Sequence, residues 1–232
     1  MALEIEKINE GARMEEEEKN LIEAKHWYFE KRIEETVGAI NRNNMEGLYV
    51  KDKETALNEI LKRIPRNATV SHGGSYTLHE IGIIKLLKKG EYYYLGKNSS
   101  PGQSVTDETR LKDFSVDIYL TSVNAITLRG ELIAIDGFGN RAACLLFGPK
   151  KVLAVAGKNK IVNTLEDGIR RAKEYVAPIH ARRRSWNLPC AQVGKCVNCN
   201  DPKKICNKIG IIQYERDKDR ITVILVGEDL GI

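Results

Sequence analysis

From residue 46 onward, short apolar runs alternate with stretches of helical periodicity, and this alternation narrows the fold more than any other feature. Gly47–Val50, Ala68–Ser71, Glu91–Leu95, Val116–Ser122 and Lys151–Ala156 read as strands. Between them, Lys53–Arg63 places Ala56, Leu57, Ile60 and Leu61 on one helical face and stops before Pro65. A second helix runs through Ile81, Ile84 and Leu87 to Gly90, with Thr77 and Glu80 spaced as a capping box. A third covers residues 103–114, and a fourth starts near Asn163 or Thr164, where Asn163 and Glu166 have capping-box spacing. Two apolar runs flank Arg129–Gly130 and predict a β-hairpin. Ile209–Tyr214 and Arg220–Val226 predict a closing antiparallel pair. The whole predicts an α/β fold: a mostly parallel sheet covered by helices on both faces. Residues 1–45 form an N-terminal helical segment packed outside this 46–232 unit, with Leu21, Ile22, Trp27, Tyr28, Ile33, Val37 and Ile40 at helical spacing.

The balance of charge limits the partners. Thirty-seven basic residues against 32 acidic ones leave a net charge of +5, a mixed surface that tolerates small anions without demanding nucleic acid. The one dense basic run, Arg182–Arg184, reads as a solvated linker. No apolar run is long enough to span a bilayer, and the polar start lacks a signal-peptide core, so the expected location is cytoplasmic.

Ligands of parallel α/β sheets gather beyond the carboxyl ends of strands. Two loops there carry chemistry. Ser71-His72-Gly73-Gly74-Ser75 joins a strand to a helix. Gly73, Gly74 and Ser75 let the backbone approach an anion such as a carboxylate or phosphate ester, and His72 is a candidate acid/base group. A plain strand-to-helix turn is the other reading of these residues. Asp136-Gly137-Phe138-Gly139-Asn140-Arg141 follows the second hairpin strand. Here Asp136 is a candidate base, and Gly137, Gly139, Asn140 and Arg141 are candidate anion-binding residues. The alternative is a turn held by an Asp–Arg pair.

Cys190, Cys196, Cys199 and Cys206 fall within 17 residues, in a stretch (189–207) rich in Pro, Gly, Asn and Asp that lets the chain wrap a centre. Clustered thiols in a reducing compartment point to metal. Four thiolates suit tetrahedral zinc or an iron–sulfur cluster. Zinc ribbons show two Cys-x2-Cys knuckles and this chain has one, which favours a four-iron, four-sulfur (4Fe-4S) cluster although the spacing departs from ferredoxin runs; zinc is the close alternative, and free or disulfide-forming thiols are the plain reading. Lys195, Lys203, Lys204 and Lys208 would offset the thiolate charge. Cys144, in the apolar run 142–147, reads as core.

Three stretches together resemble the lactate utilization (LUD) domain family: 117–127, Gly130–Arg141 and Phe147–Val152. The ending, 189–207 followed by Ile221–Gly231, is similar to its free-standing, cysteine-bearing members. The resemblance implies a Rossmann-like sheet of the kind found in the ribose-phosphate isomerase, glucosamine-phosphate isomerase and CoA-transferase superfamily. It implies a part in oxidising lactate or a related 2-hydroxy acid, beside iron–sulfur or flavin oxidoreductase subunits. Two other functions fit the residues: a non-redox isomerase or CoA-transferase-like enzyme with structural zinc, and a non-catalytic assembly or regulatory subunit.

Overall fold

The computed structural model describes residues 2–90, 92–96 and 106–232, with backbone alone for 2–15. Glu91 and residues 103–105, placed above in a strand and a helix, lie outside the described residues. Helix α1 (Ala2–Arg42) leads into β1 (Glu46–Val50), α2 (Lys53–Lys62), β2 (Thr69–His72), α3 (Tyr76–Ile81), α4 (Ile83–Leu87) and β3 (Tyr93–Tyr94). Then come α5 (Asp107–Lys112), β4 (Ile118–Thr121), β5 (Ala125–Thr127), β6 (Leu132–Asp136), α6 (Asn140–Leu146), β7 (Lys151–Gly157) and β8 (Ile161–Val162). A continuous helical run follows: α7 (Leu165–Arg170), a π-helical stretch (Arg171–Val176) and α8 (Ala177–Arg183). The chain closes with α9 (Pro189–Val193), β9 (Lys208–Ile212) and β10 (Ile221–Val226).

Six strands form one sheet in the order β1-β10-β7-β4-β2-β3, with every pairing parallel. The period-2 alternation of strand side chains divides the core. Tyr119, Val152, Ala154, Ile221, Val223 and Leu225 point to one face, with Ile33 and Ile40 of α1 and Leu145 of α6. Ile118, Leu120, Leu153, Val155, Ile224 and Val226 point to the other, against α2, α3 and α4. The predicted doubly covered parallel sheet is therefore present. A second, four-stranded sheet, β8-β5-β6-β9, was not anticipated. Its hairpin is the one predicted, with Ala125 opposite Ile133 and Gly130 at φ 78° in the turn.

Four expectations are corrected. First, 209–214 and 220–226 do not pair with each other: β9 runs antiparallel to β6, and β10 sits inside the parallel sheet between β1 and β7. All six β10 residues are buried, so its apolar run belongs to a strand covered on both faces. Second, the helix after the glycine loop is broken at Gly82, which adopts φ 83°, and Ser75 rather than Thr77 caps its start by accepting from Leu78 N. Third, α7 starts at the second of the two positions expected, and Thr164 rather than Asn163 is its cap, accepting from Asp167 N. Fourth, Arg182 and Arg183 end helix α8 and do not form a linker.

On α1, the half that packs is the later one. Ile33, Thr36 and Ile40 are buried, whereas Leu21, Ile22, Trp27 and Tyr28 are about half exposed or more. Among the described residues no helix is long and apolar enough to cross a membrane.

The hairpin turn is pressed onto this helix. A Cβ on Gly130 would lie 2.6 Å from the Ile40 nitrogen, whereas a Cβ on Gly82 would meet open space. Both glycines need positive φ, so Gly82→Ala should cost about 1 kcal/mol from strain alone, and Gly130→Ala about 3 kcal/mol or more because backbone must also move. Urea unfolding of the two variants checks the order. Equal losses would contradict the close packing of the turn on α1.

Candidate functional site

The parallel sheet changes winding direction beside β2. From β2 the chain goes to β3 on one side and to β4, then β7 and β10, on the other. A crevice beyond the carboxyl ends of β2 and β4 is where such a sheet opens for a ligand. The loop 72–75 leaves β2 there, and Ser122 follows β4.

Gly73 N donates to Leu120 O, so the turn is tied to the neighbouring strand. Gly73 itself is buried under Arg141: a Cβ there would lie 2.8 Å from Arg141 Cγ and 2.8 Å from the Tyr119 hydroxyl. Gly74 is exposed, with open space where a side chain would stand. His72 is buried, its ring stacks on Tyr94, and Nδ1 lies 2.7 Å from Gly73 O.

Arg141 joins this loop to the second one. Its Nε donates to Asp136 Oδ1 at 3.0 Å, Nη1 to Ser122 O at 2.6 Å, and Nη2 to Asn124 Oδ1 at 2.7 Å and to Ile135 O at 2.9 Å. Asp136 Oδ2 accepts from Ala142 N at 2.6 Å. Both carboxylate oxygens and most of the guanidinium are thus engaged within the fold. The sequence-predicted residues Gly73, Asp136 and Arg141 are brought together, and the contacts make a clamp that fixes both loops. Gly139, at φ 90°, turns the chain into Asn140 and α6. Gly137 lies against Lys204 O and Ile205 of the cysteine segment.

Sequence reasoning missed a buried group beyond these strand ends. Lys160, just after β7, is 3% exposed and donates to Thr77 Oγ1 and Ser122 Oγ, each at 2.8 Å. Burial pushes its pKa down to about 7; Arg171 and Arg141 push the same way, and Glu80 opposes them. Arg171, from the π-helical stretch, is held by Asn159 O and Asn124 O. In the sequence, Lys158-Asn-Lys160 looks like a solvated loop; only its position after a buried strand hinted otherwise. His180 is pushed down to about 4 by burial, with Arg183, Arg184 and Arg141 adding to the shift.

The four thiols line one cavity of about 40 Å³, together with Lys173, Leu188, Val197, Asn198, Lys204 and Ile205. All four are half-buried and free. Gly194 at φ 73° and Asn198 at φ 48° supply the left-handed turns that bend the chain around the cavity. Burial raises the Cys190 and Cys206 thiols and neighbouring thiols raise them further, while Lys204 and Lys173 oppose the shift at Cys206. Among the described residues no three His, Cys, Asp or Glu groups stand close enough to hold a metal ion as placed. One water needs roughly 10–15 Å³ of such space. The cavity therefore has room for a multi-atom group, and its donor set is the one an iron–sulfur cluster uses. Cys144 is fully buried in the core, as predicted.

The LUD domain family matches residues 33–226, and the chain belongs to that family. Membership gives a general link to lactate utilization and no particular substrate. No curated protein matches the chain. A DUF162 family protein from Deinococcus radiodurans aligns with 14% identity and a TM-score of 0.48, over 87% of this chain and 98% of its own. Ribose 5-phosphate isomerase A from Neisseria gonorrhoeae aligns with 15% identity and a TM-score of 0.33, over 57% and 63%. Likenesses this distant carry no argument about the site.

Lysine burial has a pH signature. Between about pH 7 and 10.5 the unfolded chain holds a proton that the folded chain has lost. Stability from this group therefore falls as pH drops through that window and levels off below it. Lys160→Met should be more stable than the parent below pH 7, on the order of a few kcal/mol, with the difference closing toward pH 10. Urea unfolding across that range measures it, and a pH-independent difference would contradict the assignment.

Arg141→Ala removes the clamp and leaves Asp136 buried without its partner. We expect a loss of about 3 kcal/mol or more, read as a lowered urea midpoint. A loss within the noise would show that the loops hold without it.

Proposed function

We propose that this LUD-family protein takes part in oxidation of lactate or a related small 2-hydroxy acid, with a 4Fe-4S centre on Cys190, Cys196, Cys199 and Cys206. The observation that carries the reading is the convergence of all four cysteines on one cavity with room for several atoms. Such a cluster supplies one-electron transfer. Lys204, whose ammonium donates to Cys199 O, and Lys173 on the cavity wall offset the thiolate charge. The anionic substrate sits at the strand-end crevice, along Gly73, Gly74 and Ser75. Asp136, Gly137, Gly139, Asn140 and Arg141 support that surface, the Asp–Arg pair acting by position, and His72 backs the first loop. An electron-transfer role calls for a redox partner, an iron–sulfur or flavin oxidoreductase subunit.

The zinc-bearing isomerase or CoA-transferase-like alternative is separated by the metal. Protein purified without oxygen should be brown and carry close to four iron and four sulfide per chain, with Cys199→Ser losing most of both. A colourless protein with one zinc per chain would remove the electron-transfer reading. The assembly-subunit alternative is favoured by one observation, the exposed Leu21, Ile22, Trp27 and Tyr28 of α1.

A further inference from the structure

Lys160 is buried with two hydroxyls for partners, an arrangement that holds a positive charge only at a cost. Three cations converge: Lys160, Arg171 and Arg141. Arg141 is balanced by Asp136, and Arg171 donates to Asn159 O, Asn124 O and Ile232 O. Glu80, the acidic group that bears on Lys160, has its Oε2 engaged by Gly231 N. Among the described residues no carboxylate is within ion-pair distance of Lys160; its hydrogen-bond partners are two hydroxyls.

Hydroxyls suit a site that changes charge. The Thr77 and Ser122 hydroxyls accept from an ammonium, and by turning they can donate to a neutral amine or to an anion. Ser122 follows β4, and Thr77 lies in the first turn of α3, just after the 72–75 turn. Segment 228–231 roofs the group. Leu230 is buried with its N–H on Asn159 Oδ1, and a Cβ on Gly231 would lie 2.3 Å from Thr77 Oγ1 and 3.1 Å from Lys160 Nζ.

We propose that Lys160, Thr77 and Ser122 form a carboxylate subsite beyond the ends of β2 and β4, where Lys160 pairs with the carboxylate of a small monoanionic acid. This deepens the substrate reading above but does not depend on the identity of the metal. One uncommitted cation fits one carboxylate charge; a phosphate dianion would require a second, and both arginines are engaged. Binding is coupled to protonation. The amine is largely neutral above its lowered pKa of about 7, where burial, Arg171 and Arg141 outweigh Glu80. A bound carboxylate restores the charged form, so each acid bound above that pH takes up a proton.

The test is calorimetric titration of the intact protein with L-lactate at pH 8, in buffers of different ionisation enthalpy. Acetate and pyruvate serve as further monocarboxylate probes, and inorganic phosphate as competitor. We expect uptake approaching one proton per lactate and no displacement by equimolar phosphate. Lys160→Met should weaken binding at least tenfold and abolish uptake. Lys160→Arg, charged throughout, should bind without uptake, and decides the matter if the methionine variant does not fold. Unchanged affinity and uptake in the variants would overturn the subsite, as would failure of the parent protein to bind any of the three acids at millimolar concentration. Displacement by phosphate would overturn its restriction to carboxylates. Iron and sulfide content, measured on the same samples, stays at the parent level in both lysine variants if the subsite is separate from the cysteine centre. A loss of both would assign Lys160 to the metal site and contradict the proposal.

Discussion

Arg141 is the tie on which the candidate site depends. One guanidinium reaches the carboxylate at the end of β6, the backbone just beyond β4, the Asn124 side chain and the Ile135 carbonyl, while its stem lies over Gly73 beyond β2. Those groups come from both sheets. A planar fork with fixed donor directions can hold several acceptors in one arrangement, which a flexible lysine cannot do. The partial burial of this network makes it demanding, since losing the clamp would strip each acceptor of its charged donor. In return, the loops beyond the strand ends are held by the fold.

The strand-end loops and the cysteine cavity adjoin. Gly137 of the second loop packs against Lys204 and Ile205, and Asn207 N donates to Asp136 O. On the other side, the π-helical stretch sends Arg171 toward Lys160 and Lys173 to the cysteine cavity. Wide helical turns of this sort re-aim side chains and occur often at functional sites. The two regions are therefore joined through short backbone links as well as through side chains.

Much of the fold was legible because strand and helix periods differ. The β10 run is also where this reading failed. Its apolar residues identified a strand, but the polar turn at 215–219 suggested a local partner, and the true neighbours β1 and β7 are far away in sequence. Nothing in local periodicity encodes which distant edge a buried strand joins. At the site, Asp136–Arg141 was visible as a pair because both residues lie in one loop. Lys160 was invisible because its burial comes from Thr77, Ser122 and segment 228–231, none of them near it in the chain. The exposed first half of α1 makes a similar point: helical spacing predicts a face, and only packing shows whether that face is covered.

The central claim is that four cysteines from one loop-rich segment hold a multi-atom metal centre beside the strand-end crevice. Anomalous diffraction at the iron edge, from crystals grown without oxygen, tests it most directly. The account predicts strong iron density inside the cavity bounded by Cys190, Cys196, Cys199 and Cys206, against the wall formed by Lys204 and Ile205. A single zinc-edge peak there, or cysteines bound to no metal in crystals of protein never exposed to air, would contradict it.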